Sequence, residues 1–266
     1  MAQRVAPAIG RTFRFINHIG LVEIFLVSVA FIFYYVSRGL VVERTAEATS
    51  RAVQVVQLEQ RLGIFLWETK MQAWVGSSEL LAHIFNNIYV YAHLPLIGAI
   101  GLWLFFFHRQ RYGLLRNAFL ISGGIGLIIF NLFPTAPPRL LPWPLSDQVV
   151  DTMVSFSKVN YDIQPAAFVN RYAAMPSLHF GWNLLLGLGI IWNTEHVWGK
   201  AFGVIMPAAM FLAVVATGNH FILDVVAGTV VALSGLAIAY LLERYGPRLW
   251  RLLLTDRIFH HLGRST

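Results

Sequence analysis

Hydropathy constrains this chain more than any other feature. A helix needs roughly 20 mostly apolar residues to cross the hydrocarbon layer, where every backbone N–H and C=O must be satisfied within its own element. Six apolar runs meet or approach that length, at residues 18–37, 80–107, 114–133, 177–192, 201–217 and 220–242. With 57% hydrophobic and 12% charged residues and a mean hydropathy of +0.61, too few polar side chains remain to coat a water-soluble core. The expected fold is an all-α integral membrane protein, a six-transmembrane helix bundle forming one domain over residues 1–266. The first run follows Arg4, Arg11 and Arg14 as the core of a signal peptide would. It has the length of a full span, however, and ends in bulky FIFYYVSRG, so it is read as a retained helix.

Between the first two spans, residues 43–75 mix charge with apolar residues at helical spacing, among them Val55, Leu58, Leu62, Phe65 and Leu66. Such a stretch is too polar to cross a bilayer and too periodic for a loop, which predicts an amphipathic segment of one or two helices along the interface. Glu47 and Arg51 stand four apart, a spacing that supports a helix, and Gly63 marks a break. The tail at 244–266 sets Trp250, Leu253, Leu254, Ile258 and Phe259 against Arg248, Arg251, Arg257 and Arg264, the pattern of a basic amphipathic helix on an anionic cytoplasmic leaflet. Within the spans, Glu23 is expected to snorkel or stay protonated near a span end, with a place facing the bundle interior as the alternative. His93, beside Pro95, is expected to hydrogen-bond a neighbouring helix, with a place in the site as the alternative. Gly123, Gly124 and Gly126 are expected to admit close helix contact.

Six spans put both termini on one side. The N-terminus, the turn at 109–116, Lys200 and the tail hold 12 of the 20 Lys and Arg with few acids, so the positive-inside rule makes both termini cytoplasmic. These span ends account for the formal net charge of +7, and no motif for reading DNA or RNA accompanies it. The absence of cysteine excludes a disulfide framework, a thiolate nucleophile and a zinc–thiolate site. Arg139, His179 and His220 then share the extracytoplasmic face of a multi-pass protein of the cell membrane.

Those three residues carry the chemistry. In TGNHFILDVVAG at 217–228, His220 and Asp224 are one helical turn apart, so the carboxylate can hold one imidazole nitrogen and leave the other free. An ionisable pair in so apolar a setting is a functional hypothesis by default, against the plainer reading that it pins two helices together. His220 so oriented is suited to attack phosphorus and form a phosphohistidine, while His179, in PSLH at 176–179, can alternate between acid and base. The proline-stiffened loop PTAPPRLLPWP presents Arg139 to the phosphate oxygens, and the helix opened by Pro176 and Ser177 offers backbone N–H groups and a favourable dipole. Arg171 and Asn219 are secondary phosphate-binding candidates, or plain loop residues. No cofactor or metal is required. A zinc site on His179 and His220 would need a third ligand, with Asp224 the candidate.

Together PSLH, HFILD and PTAPPR resemble the type 2 phosphatidic acid phosphatase superfamily, and more closely its inositol phosphorylceramide synthase and sphingomyelin synthase-like branch. LEQRLGIF and YAHLP also look like bacterial members of that branch. The resemblance covers residues 134–228 and implies six spans with a three-part site on the extracytoplasmic or lumenal face. It implies His220 as nucleophile, Asp224 as its partner, His179 as proton donor, Ser177 as a phosphate contact and Arg139 as the first-motif arginine.

The departures sharpen the expectation. The phosphatase pattern has a lysine where this chain has Leu132 and an arginine where it has Val214; PSGH has become PSLH, and Leu140 replaces a proline. Two cations fewer weaken the hold on a dianionic monoester, whereas a singly charged phosphodiester needs less clamping. The expected function is a phosphotransferase moving a phospho-headgroup, inositol phosphate by resemblance alone, from a phospholipid donor to a lipid or glycan hydroxyl. The alternatives are a lipid phosphate or polyprenyl pyrophosphate phosphatase with the same site and, outside enzymes, a six-span transporter or scaffold.

Overall fold

The computed structural model describes residues 20–30, 32, 44–142, 144–145, 149, 151–155 and 171–262, with backbone alone from 247 onward. Arg4, Arg11, Arg14 and the side chains expected to make the tail amphipathic lie outside the described residues. In chain order the helices are α1 (Gly20–Ala30), α2 (Thr45–Leu62), α3 (Phe65–Gly76), α4 (Glu79–Asn87), a π-helical turn (Ile88–Ala92), α5 (His93–Phe107), α6 (Arg109–Leu132), the one-turn α7 (Thr152–Ser155), α8 (Leu178–Asn193), α9 (Val197–Ala216) and α10 (Ile222–Leu262). No strand occurs among the described residues, only one isolated parallel bridge between Thr135 and Ala173.

Four stretches are long and apolar enough to cross a membrane: Glu79–Phe107, Arg109–Leu132, Val197–Ala216 and Ile222–Gly246. The other two expected crossings do not reach that length among the described residues. α1 is described only over Gly20–Ala30, and α8 has 16 residues, about 24 Å at the helical rise. α8 is the hub, packed against α5, α6, α9 and α10. Backbones touch there: a Cβ on Gly187 would lie 2.3 Å from Gly203 O of α9, and one on Gly228 of α10 would lie 2.2 Å from Ser177 O. Of the three α6 glycines expected to admit close contact, Gly123 and Gly126 face Trp182 and Leu178 of α8, whereas Gly124 turns to open space. Glu23 does not snorkel; it accepts hydrogen bonds from Arg116 and Tyr112 on α6.

α2 and α3 form a hairpin whose turn is Gly63, at φ +72°. Its inner face differs from the expected apolar stripe. Val55 and Phe65 point in, together with Ala48, Ala52, Val56, Glu59, Glu68 and Gln72, while Leu58, Leu62 and Leu66 point out. The inner face meets loop ends whose amides need acceptors, so acids occupy it and leucines do not. Glu47 pairs with Arg44 at 3.1 Å, and Arg51 lies over the Phe133 ring instead.

Candidate functional site

Three loops at one end of the bundle are stitched together through their backbones. Thr135 N–H donates to Tyr172 O (2.8 Å), Ala174 N–H to Thr135 O (3.1 Å), Ala136 N–H to Ala48 O of α2 (3.1 Å) and Arg139 N–H to Gly218 O (2.9 Å). Ser177 N–H donates to Asp224 O at 2.9 Å, tying the start of α8 to the first turn of α10. Gly218, at φ +75°, reverses the chain after α9, and the next two amides, Asn219 and His220, both donate to Val214 O.

His220 is therefore held before its side chain is considered. Its Nδ1 lies 2.7 Å from Ala174 O and 3.4 Å from Asp224 Oδ2. A carbonyl only accepts, so Nδ1 carries the hydrogen and Nε2 keeps the lone pair for bond formation. The i to i+4 pairing with Asp224 is present, but the backbone carbonyl is the nearer partner. Asp224, fully buried, accepts from Phe221 N–H at 2.9 Å through Oδ2, and its Oδ1 meets no donor.

His179, on the first turn of α8, lies with its ring centroid 6.0 Å from that of His220. Two rings at that spacing can touch one tetrahedral group between them. The π-helical turn carries Tyr89 to 4.6 Å from the His179 ring and places His93 at 4.5 Å. An extra residue in a helical turn shifts the side-chain register, and such turns recur at functional sites. His93 does make the expected interhelical bond, its Nδ1 2.9 Å from Asn183 Nδ2 of α8, and it also packs on His179. Asn183 Nδ2 donates a second bond to His179 O at 2.7 Å.

Arg139 is the central residue of a proline-rich 3₁₀ turn (Pro138–Leu140). Its Nε donates to Asn219 Oδ1 (3.1 Å), and its Nη1 stands 3.9 Å from Asp151. Asn219 is in turn fixed by its own bond to Thr217 Oγ1 (2.7 Å). Asn219 is thus the residue that aims Arg139, beside the histidine it precedes. Ser177 is buried and caps α8, its Oγ accepting from Phe180 N–H at 3.5 Å. Arg171 lies in an exposed turn two residues before the Ala173 bridge.

The first turn of α10 is finished by side chains from the hairpin. Ile222 N–H donates to Glu68 Oε1, and Leu223 N–H donates to Glu59 Oε1 at 2.8 Å. Burial pushes both carboxyls up, Glu59 to about 7 and Glu68 to about 10, with each raised further by nearby negative charge. These glutamates, Tyr89, Asn183 and Asp151 had not been singled out in the sequence. A signal existed for the first: Glu59 falls on the same stripe as Ala52, Val55 and Val56, an acid where the helix is otherwise inward and apolar.

Among the described residues no three His, Cys, Asp or Glu side chains gather as metal ligands. What the arrangement offers is an imidazole with a defined lone pair, a second imidazole within reach of the same group, a guanidinium and a helix N-terminus. A family model described as the PAP2 superfamily matches residues 53–240. No curated protein and no solved structure matches the chain.

Proposed function

The chain belongs to the PAP2 superfamily, and from that premise we propose a membrane phosphotransferase that moves a phospho-headgroup from a phospholipid to a lipid or glycan hydroxyl. In this reading His220 Nε2 attacks the phosphorus of the donor diester. The P–O bond to the diacylglycerol oxygen breaks, and that oxygen takes a proton from His179. The acceptor hydroxyl then gives its proton to His179 and attacks the phosphohistidine, which restores His220. Arg139, aimed by Asn219, and the α8 N-terminus with Ser177 hold the phosphate oxygens; Asp224 and Ala174 O hold the imidazole. Arg171 is the outermost candidate for the incoming headgroup.

One observation carries the preference for a diester. The two positions where the phosphatase pattern has cations are Leu132, 72% exposed, and Val214, fully buried in α9, and Arg139 itself stands near Asp151. A site so modestly positive suits one negative charge better than two. The resemblance to the inositol phosphorylceramide synthase-like branch points the same way and suggests inositol phosphate as the headgroup. Six crossings, counting α1 and α8, with both termini cytoplasmic and the site extracytoplasmic, complete the reading; the 43–75 hairpin would then lie at the outer interface.

Mass spectrometry of lipids incubated with wild-type and His220→Ala protein tests it. A new phosphodiester made only by the wild type is the expected result. Free phosphate released from phosphatidic acid or a polyprenyl pyrophosphate faster than any diester is consumed would make the protein a phosphatase.

A further inference from the structure

Glu59 and Glu68 have no part in the transfer steps, yet both are fully buried beside them. The α2–α3 hairpin closes over the residues that follow His220. Phe221 is buried in a cluster with Val55, Val56 and Phe65, the Ile222 amide goes to Glu68 and the Leu223 amide to Glu59. Three consecutive amides at the mouth of α10, those of Phe221, Ile222 and Leu223, are thus taken by carboxyl oxygens of Asp224, Glu68 and Glu59. Glu59 Oε2 and Glu68 Oε2 are buried and meet no hydrogen-bond partner. Burial raises both carboxyls, and the negative charge of Glu59 raises Glu68 further, so Glu59 is the one that ionises first, near 7.

That charge sits where it matters for His220. An uncapped helix start carries roughly half a positive charge and open N–H groups. Left bare, the α10 start would disfavour the positive charge that builds on the imidazole as it bonds to phosphorus, and would compete for the phosphate itself. We propose that Glu59 and Glu68 are positioning residues of the His220 site: their Oε1 atoms occupy the first amides of α10, hold His220 in place and offset the positive end of the helix beside it. The other groups around His220 are Asp224 on its own helix, His179 on α8, Tyr89 from the π-helical turn, and Arg139 through Asn219. Arg139 acts against the pair and Asp224 with it. The inference rests on the phosphohistidine reading above.

The test uses the full chain in its membranes, with bis(p-nitrophenyl) phosphate as a diester probe and protease resistance as the measure of folding. The rate is followed from pH 5 to pH 9, a window that spans the ionisation of Glu59 near 7. In Glu59→Gln/Glu68→Gln the amides and the shape are kept while the charge is lost. The double variant is expected to fold, to keep KM within about twofold, to lose at least about tenfold in kcat, and to lose the part of the acid limb near pH 7 that follows Glu59 ionisation. Glu68→Gln alone, whose amide stands in for the protonated carboxyl, is expected to restore most of the rate that Glu68→Ala loses. A folded double variant with the wild-type acid limb overturns the inference, whether or not kcat falls. If the double variant does not accumulate, Glu68→Gln and Glu68→Ala decide: equal losses overturn the inference, and rescue by Gln supports it. Probe cleavage that survives His220→Ala instead sinks the phosphohistidine reading; cleavage lost there, with silent glutamate variants, sinks only this one.

Discussion

The N-termini of α8 and α10 lie side by side at one end of the bundle and are finished with opposite chemistry. α8 starts with a neutral serine cap, while the first amides of α10 meet three carboxyl groups, from Asp224, Glu59 and Glu68. Both helices have the same backbone dipole, so the difference assigns them different tasks. In the proposed mechanism the α8 start keeps its positive end for an anion, and the α10 start, its positive end offset by carboxyls, serves as the mount for the nucleophile. Each carries one of the two histidines, and the Ser177 N–H to Asp224 O bond keeps the two mounts in register.

That contrast can be broken in five ways, beginning with the largest effect. His220→Ala removes the group on the neutralised mount and is expected to lower phosphodiester turnover by roughly 10³-fold or more, with no acid-labile phosphoenzyme trapped by labelled donor. His179→Gln removes the group on the positive mount and is expected to lower lipid turnover by roughly 10²- to 10³-fold. It should still form phosphoenzyme from a p-nitrophenyl diester, whose leaving group needs no acid. If both variants fail equally with that probe, the division of labour between the helices is wrong.

Ser177→Asp gives α8 the charged cap that α10 has. Aspartate is a good N-cap, so protein recovered from the membrane should remain folded while kcat/KM falls by about 10²-fold through repulsion of the phosphate. Unchanged kcat/KM would mean that the α8 start does not face the anion. Gly228→Ala forces a methyl group onto Ser177 O and pushes the two mounts apart; a loss of about 1–3 kcal/mol is expected, seen as a melting temperature several degrees lower. The smallest effect is a slope with pH. Because Glu59 and Glu68 are raised from 4.5 to about 7 and about 10, the folded state binds more protons than the unfolded state between those values. Their stabilising contribution is full below pH 4.5 and is lost as pH rises through the folded-state values, so melting at pH 8.5 should come earlier than at pH 6. Glu68→Gln should flatten that slope.

The helical membrane character, the span-length runs at 80–107 and 201–217, and the i to i+4 spacing of His220 and Asp224 were legible from residue order, because they depend on composition and local periodicity. Tertiary packing decided the rest. The nearest partner of His220 Nδ1 is a backbone carbonyl 46 residues away, and a carbonyl has no residue type to announce it. The acids that finish α10 come from 154 and 164 residues upstream, on helices whose leucines at 58, 62 and 66 suggested a different inner face. A charged residue and its burial site are chosen together: Glu59 and Glu68 are tolerable inside only because unpaired amides wait there, and those amides exist only once α9, Gly218 and α10 have been brought against the hairpin.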